Sequence, residues 1–167
     1  MSQLGLGALP IVAALLAADH RDPALTGFVL SAMAVGSLCS SLGYARWPVR
    51  RWRPEVLALA GTAVMTVPFA AVPLAGNRWA VLACFAVAGL IIGPVFASVL
   101  TVRDRDAPPE ARTQVFTISA GLKMAAAAAG VALAGLATGH GAAALALAVA
   151  GAQLAAAAAG VALLRTR

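Results

Sequence analysis

Long apolar runs alternate with short polar connectors along the whole chain. Six runs can be marked, at residues 3–18, 24–45, 54–75, 79–102, 110–138 and 142–164. The fourth, Trp79–Val102, is 24 residues long and contains no charged side chain, and roughly 20 such residues in a helix cross the hydrocarbon core of a bilayer. The pattern predicts an all-α membrane protein in which residues 1–167 form one bundle of six transmembrane helices.

Prolines are expected to affect the first and third runs. The first run contains Pro10, and at 1.5 Å per residue its length is about 24 Å, against a hydrocarbon core of roughly 30 Å. We therefore expect this helix to be tilted in a thinned membrane or clipped at its start. Pro68 and Pro73 are expected to bend or end the third run, because proline lacks the backbone N–H that continues a helix.

Composition supports a membrane setting. The chain is 62% hydrophobic and 11% charged, with a mean hydropathy of +0.91, whereas a soluble domain carries roughly a quarter of charged residues. A soluble core cannot hide this much apolar surface, so the lipid bilayer is the expected partner. The net charge of +6 would suggest nucleic acid in a soluble protein. Here the arginines cluster between apolar runs, where membrane topology explains them better, and we expect no nucleic-acid partner.

The arginines are distributed unequally between alternate connectors. Arg21 and Arg78 lie on one side of the predicted membrane, and the other side carries nine arginines, which are Arg46, Arg50, Arg51, Arg53, Arg103, Arg105, Arg112, Arg165 and Arg167. Cytoplasmic loops of membrane proteins are enriched in arginine and lysine. The asymmetry predicts a multi-pass protein of the cell (plasma) membrane with both termini in the cytoplasm.

Two tryptophans accompany the densest group of arginines. The segment 46–53 contains Trp47 and Trp52 among four arginines. Tryptophan at the level of the lipid headgroups, with arginine just beyond it, is typical of a membrane interface. A patch that stacks on nucleic acid is the alternative interpretation, and the apolar runs on both sides favour the membrane interface.

Small residues in the second and fourth runs indicate close helix packing or gating. Gly36 and Ser40 are four residues apart, as are Gly89 and Gly93, and Pro94 follows directly. Pairs of small residues at this spacing let helices approach closely in lipid. A Gly-Pro step in the middle of a span also frees backbone groups that neighbouring helices must satisfy, so it is expected to face protein.

Polar side chains within the runs have two interpretations. In the second run, Ser37 and Ser41 share a face that either packs against another helix or lines a polar cavity. The fifth run contains Gln114, Thr117, Ser119 and Lys123, the one charged residue deep within a span. Lys123 either extends towards the headgroups or faces an aqueous cavity, as most ionisable residues within membranes do. These six residues are the candidates for a substrate cavity.

Catalytic and metal sites are not indicated. Cys39 and Cys84 both lie inside apolar runs and are expected to be small buried side chains without a disulfide. His20 and His140 lie at predicted turns, and the span interiors contain no aspartate or glutamate. A membrane protease needs a histidine within its spans, and a headgroup transferase needs clustered acids for a metal. We therefore expect no enzyme activity, no cofactor and no metal.

The chain resembles the C-terminal half of a major facilitator superfamily transporter. Gly89–Pro94 (GLIIGP), Asp106–Arg112 (DAPPEAR) and a Gly/Ala-rich span ending at Ala134-Gly135 are similar to helices ten and eleven of that family. Gly43–Arg51 (GYARWPVRR) occupies the position of the family's glycine-and-arginine loop between helices eight and nine. It lacks the acidic residue and the second glycine of the full motif.

The resemblance implies a fold, a function and a partner. The six runs would correspond to helices seven to twelve, with the first, second, fourth and fifth around the cavity, where the polar candidates lie. The implied function is secondary-active transport of a small solute by alternating access, with the substrate between two six-helix halves. One half alone is expected to be inactive and to require a second half or self-association. The alternative is a non-catalytic integral membrane subunit or a truncated remnant.

Overall fold

A computed structural model describes residues 2–48 and 52–165 of the chain. It is 89% helical, and the described residues contain no strand. Six of its helical segments are long and apolar enough to cross a membrane. The predicted all-α fold with six helices long and apolar enough to span a membrane is confirmed.

Within residues 2–48 and 52–165, eight α-helices build the six spans. The first span consists of α1 (Ser2–Gly7) and α2 (Leu9–Asp19), the second is α3 (Leu25–Arg46), and the third consists of α4 (Pro54–Val64), α5 (Thr66–Ala71) and a 3-10 turn, Val72–Leu74. The fourth, fifth and sixth spans are α6 (Arg78–Asp106), α7 (Arg112–Leu136) and α8 (Gly141–Arg165). Short 3-10 turns, Pro109–Ala111 and Thr138–His140, precede α7 and α8.

Prolines explain why the first and third spans are divided. Pro10 lies in the first turn of α2, and Pro68 lies near the start of α5. Neither residue has the N–H that would bond to the carbonyl four residues earlier, so the preceding helix ends and a new one begins. Pro94 is accommodated differently, because α6 continues through it without a break.

The fourth span is longer than the sequence pattern predicts. The apolar run ends at Val102, but α6 continues to Asp106. Arg105 stabilises this extension, since its Nε lies 2.8 Å from Asp106 Oδ1 and its Nη2 lies 2.6 Å from Glu55 Oε1 at the start of α4. Charged residues beyond the end of an apolar run can remain helical when they have ion-pair partners. Hydrophobicity alone therefore does not mark the end of the helix.

The second and fourth spans form a close parallel pair. Gly89 of α6 lies against Met33 of α3, and Gly93 lies against Ser40 and Ser41. The contacts therefore advance in the same direction along both helices. The first and fifth spans meet through contacts of the same kind, because Gly130 contacts Leu4 while Gly7 contacts Ala127. Between these pairs lies a core in which Phe69 and Phe85 meet edge to face at 6.0 Å.

The described arginines are concentrated at one end of the bundle, here called the arginine-rich end. The ion pair of Arg105 with Glu55 joins the end of α6 to the start of α4. Arg112 lies 3.3 Å from Asp104, which joins α7 to the same end. The described arginines at this end are Arg46, Arg53, Arg103, Arg105, Arg112 and Arg165. At the opposite end, Arg78 pairs with Asp22 at 3.8 Å.

The cysteines depart in part from the prediction. Both are free, in agreement with the expected absence of a disulfide between them. Cys84 is half-buried, but Cys39 is exposed, so the prediction that both are buried is wrong for Cys39. An apolar run does not distinguish the lipid-facing side of a helix from the packed side.

Candidate functional site

The fifth span, α7, has little cover from the rest of the bundle. Of its 25 residues, only Gly130 and Ala134 are buried. Gly130 lies so close to the Leu4 carbonyl that a side chain there would overlap it, and Gly7 is equally close to the carbonyl of Ala127. Helix α7 is thus fixed to α1 through its second half, while its first half carries the polar candidates with few neighbours.

Lys123 lies over an aromatic ring on the neighbouring α6. Its Nζ is 4.7 Å from the ring centroid of Phe96, and Phe96 is itself 50% exposed. No carboxylate of the described residues forms an ion pair with Lys123. A cation over an aromatic face is stabilised by about 0.5–1 kcal/mol at exposed sites and about 2 kcal/mol or more when water is excluded. The ring therefore orients the ammonium without neutralising it.

The depth of Lys123 places its charge within the span. It follows Arg112, at the arginine-rich end, by 11 residues, which corresponds to about 16 Å along the helix axis. A charge at such a depth is costly in lipid, so it normally faces the bundle interior or a water-filled cavity. The contact with Phe96 shows that Lys123 is turned towards α6.

Among the other candidate residues in α7, Ser119 shares the face of Lys123, and Gln114 and Thr117 do not. Ser119 lies one turn earlier and is half-buried. Gln114 is nine residues from Lys123, about half a turn around the helix, and is exposed, as is Thr117. The Thr117 hydroxyl donates to the Thr113 carbonyl at 2.9 Å. The structure therefore brings Ser119 and Lys123 together and places Gln114 and Thr117 on the other side of α7.

Glycines bring α3 and α6 into backbone contact along a line here called the α3–α6 seam, formed by Gly36, Ser40, Gly89 and Gly93. A side chain at Gly36 would overlap the Ala86 carbonyl, and one at Gly89 would overlap the Met33 carbonyl. The Ser40 hydroxyl donates to the Ser37 carbonyl at 3.1 Å. Where lipid is the solvent, such close contact through small residues is what holds helices together.

Ser37, Ser41 and Pro94 lie beside this seam. The Ser41 hydroxyl lies against Gly93, although the residue as a whole is exposed, and Ser37 is half-buried. Pro94 follows Gly93 inside α6, and its carbonyl accepts a hydrogen bond from the Ser98 hydroxyl at 2.8 Å. Ser98 is fully buried. These serines thus flank a helix contact, and the structure does not bring them to Lys123.

A buried polar pair between the first and sixth spans was missed by the sequence analysis. Gln153 is completely buried. The Ser2 hydroxyl donates to its Oε1 at 2.7 Å, and its Nε2 donates to the Ser2 carbonyl at 3.2 Å. As the strongly polar residue of an otherwise apolar run, Gln153 required buried partners, but the sequence did not indicate which ones.

The histidines, cysteines and acidic residues are also possible metal ligands by residue type. Across residues 2–48 and 52–165, no group of three histidine, cysteine or acidic residues has the arrangement of a metal site. The ring Nδ1 atoms of His20 and His140 lie 2.9 Å and 3.2 Å from carbonyls of their own turns, those of Leu16 and Ala137.

Comparison with known proteins adds no family. No protein-family model, no curated protein and no solved structure matches the chain. The function is therefore argued from the geometry of the bundle.

Proposed function

We propose that the chain is one six-helix half of a secondary-active transporter of the major facilitator type. It moves a small solute by alternating access together with a second six-helix half or a second copy of itself. The observation that carries the proposal is Lys123, a charge about 16 Å along α7 from Arg112 that rests on Phe96. A membrane protein keeps such a charge, despite its cost, chiefly where it contacts a substrate, an ion or a partner charge.

The order of helix contacts supports the same proposal. The second span packs on the fourth and the first on the fifth, while the third and sixth spans contact each other, with Gly160 of α8 against Leu59 of α4. The superfamily pattern places the first, second, fourth and fifth helices of each half around the cavity and the third and sixth outside. The sparse cover of α7 leaves surface for the second half.

The alternative is a non-catalytic membrane subunit or a truncated remnant, and transport assays separate the two. The chain alone, a tandem fusion of two copies and the same fusion with Lys123→Met are expressed in an efflux-deficient bacterial host and tested against a panel of toxic compounds. We expect altered tolerance from the fusion only. Transport by the chain alone would contradict the need for a second half. A stable fusion that alters tolerance to no compound would favour the non-catalytic subunit.

We propose that both termini lie in the cytoplasm of a cell-membrane protein, because the arginine-rich end then faces inwards. In a variant lacking Cys39 and Cys84, single cysteines are introduced at Asn77 and at Glu110, which are both exposed and lie at opposite ends of the bundle. An impermeant thiol reagent added to intact cells is expected to label position 77 and not position 110. Position 110 should label once the membrane is permeabilised. Labelling of position 110 in intact cells would show that the bundle has the opposite orientation, with its arginine-rich end outside the cell.

We expect the isolated chain to self-associate or to be degraded. The exposed polar groups of α7, with Lys123, would otherwise meet lipid without partners, which is unfavourable. Size-exclusion chromatography with light scattering in mild detergent and pulse-chase in cells measure the two outcomes. A monodisperse, long-lived monomer in both detergent and bilayers would argue that no second half is needed.

A further inference from the structure

The two ends of the bundle carry similar arginine–tryptophan contacts. At the arginine-rich end, the Arg46 guanidinium carbon lies 5.7 Å from the ring centroid of Trp47. At the opposite end, that of Arg78 lies 5.0 Å from the ring of Trp79. The two tryptophans are 74% and 67% exposed. Each ring therefore lies at the end of a spanning helix, where tryptophan meets the lipid headgroups.

The two contacts differ in the charge around them. Arg78 lies 3.8 Å from Asp22, so a carboxylate of the chain accompanies it. Arg46 forms no ion pair within the described part of the chain. Residues 46–53, here called the arginine–tryptophan loop, contain four arginines and no acid. The loop thus carries positive charge that its own residues do not neutralise.

Neighbouring acids at the arginine-rich end are already engaged. Glu55 accepts a hydrogen bond from Arg105 at 2.6 Å, whereas Arg53 is 3.9 Å from it and has an 82% exposed side chain. Asp104 lies 3.3 Å from Arg112. Arg105 at the end of α6 and Arg112 at the start of α7 therefore have carboxylate partners, whereas Arg46 has none among the described residues.

We propose that the arginine–tryptophan loop binds the phosphate headgroup of an anionic phospholipid. Guanidinium groups bind phosphate oxygens through paired hydrogen bonds, and clusters of basic residues directly beside a membrane helix attract anionic lipids. Trp47 directly follows α3 and Trp52 precedes α4, and both are exposed, so Arg46 and Arg53 beside them lie at headgroup level. This position favours a lipid over RNA, and the proposal does not depend on transport.

Tryptophan fluorescence can report this site separately from the opposite end. The chain has three tryptophans, so Trp79→Phe leaves only Trp47 and Trp52 as emitters. The double variant Trp47→Phe/Trp52→Phe leaves only Trp79. Each protein is reconstituted in phosphatidylcholine nanodiscs that contain a small fraction of either brominated phosphatidylglycerol or brominated phosphatidylcholine, whose bromine atoms quench nearby tryptophan.

We expect brominated phosphatidylglycerol to quench Trp47 and Trp52 at about a tenfold lower fraction than brominated phosphatidylcholine, since each arginine near the surface increases binding about fivefold. Trp79 should be quenched equally by both lipids, and the difference at the loop should diminish at high salt. Equal quenching of Trp47 and Trp52 by the two lipids would overturn the proposal. The proposal would also be overturned if Trp79 showed the same preference for the anionic lipid as Trp47 and Trp52.

Charge variants separate the loop from the general charge of the protein. Arg46→Gln/Arg53→Gln is expected to reduce the preference at least about fivefold, while Arg112→Gln/Arg165→Gln removes the same charge from the same end and should preserve it. Retention of the full preference in the first variant would contradict the proposal. Inorganic phosphate that competes as strongly as the lipid would also contradict the proposal. The same holds for a short single-stranded RNA that binds tightly and displaces the lipid.

Discussion

Gly89→Ala is expected to destabilise the bundle by about 2–3 kcal/mol, a cost typical of forcing an additional group into a packed site. A Cβ at Gly89 would overlap the carbonyl of Met33, and a backbone carbonyl cannot rotate away as a side chain does. Helices α3 and α6 would have to separate along the whole α3–α6 seam. Because lipid is as apolar as the helix surfaces, no hydrophobic gain offsets the lost contact. Unfolding by increasing SDS in mixed micelles, followed by circular dichroism, measures the change.

Gly27→Ala provides the matched control. Gly27 lies near the start of α3, and a Cβ there would have nothing within 4 Å. Alanine is favoured over glycine inside a helix by about 1 kcal/mol, so this variant should unfold at the same SDS fraction as the parent or at a higher one. If Gly89→Ala and Gly27→Ala unfold together, close approach at the seam does not contribute to stability.

The sequence predicted the spans well because one property, the length of an apolar run, defines them. A run of about 20 apolar residues has one stable form in lipid, a helix whose backbone groups are all bonded internally. Pro68 also marked a real break, since its missing N–H acts locally. The end of α6 at Asp106 was missed, because the ion pairs of Arg105 with Asp106 and Glu55 are formed by the fold and not by the run.

The faces of the helices were harder to predict. In a soluble protein, polar residues mark the outside, but here lipid and protein interior are equally apolar, so hydrophobic periodicity does not distinguish them. The exposed Cys39 illustrates the consequence. Gln114 and Lys123 were grouped because both are polar residues of α7, although nine residues place them on opposite sides of the helix.

The sequence also did not indicate which residues of different helices contact each other. The buried contact of Ser2 with Gln153 joins residues 151 positions apart, and nothing in either run indicates the other. Phe96 beneath Lys123 is a similar case, since an aromatic residue within an apolar run has no distinguishing pattern. Small residues at four-residue spacing were the exception, because Gly89 and Gly93 indicate a close approach whichever helix supplies the partner.

Lys123→Met is expected to abolish transport by the assembled protein without lowering its amount in the membrane. Methionine preserves the length and apolar stem of the side chain but removes the ammonium that lies over Phe96. No carboxylate of the described residues pairs with Lys123, so under the proposed function its charge is left for an anionic substrate or for an acid of a second half. Loss of one charge-assisted hydrogen bond costs about 1.5–3 kcal/mol, which corresponds to a loss of roughly ten- to 150-fold in apparent affinity. Uptake or efflux in vesicles, normalised to protein by immunoblot, measures the effect.

Two further variants make this result interpretable. Lys123→Arg is expected to retain part of the transport, since the charge persists while its reach and geometry change. Leu122→Met is the control, because Leu122 is the neighbouring residue, is 68% exposed and carries no charge, so transport should be unchanged. In the alternative interpretation, the lysine only extends towards the headgroups and its charge has no role in transport. Full transport by Lys123→Met would establish that alternative and remove Lys123 from the candidates for a substrate cavity.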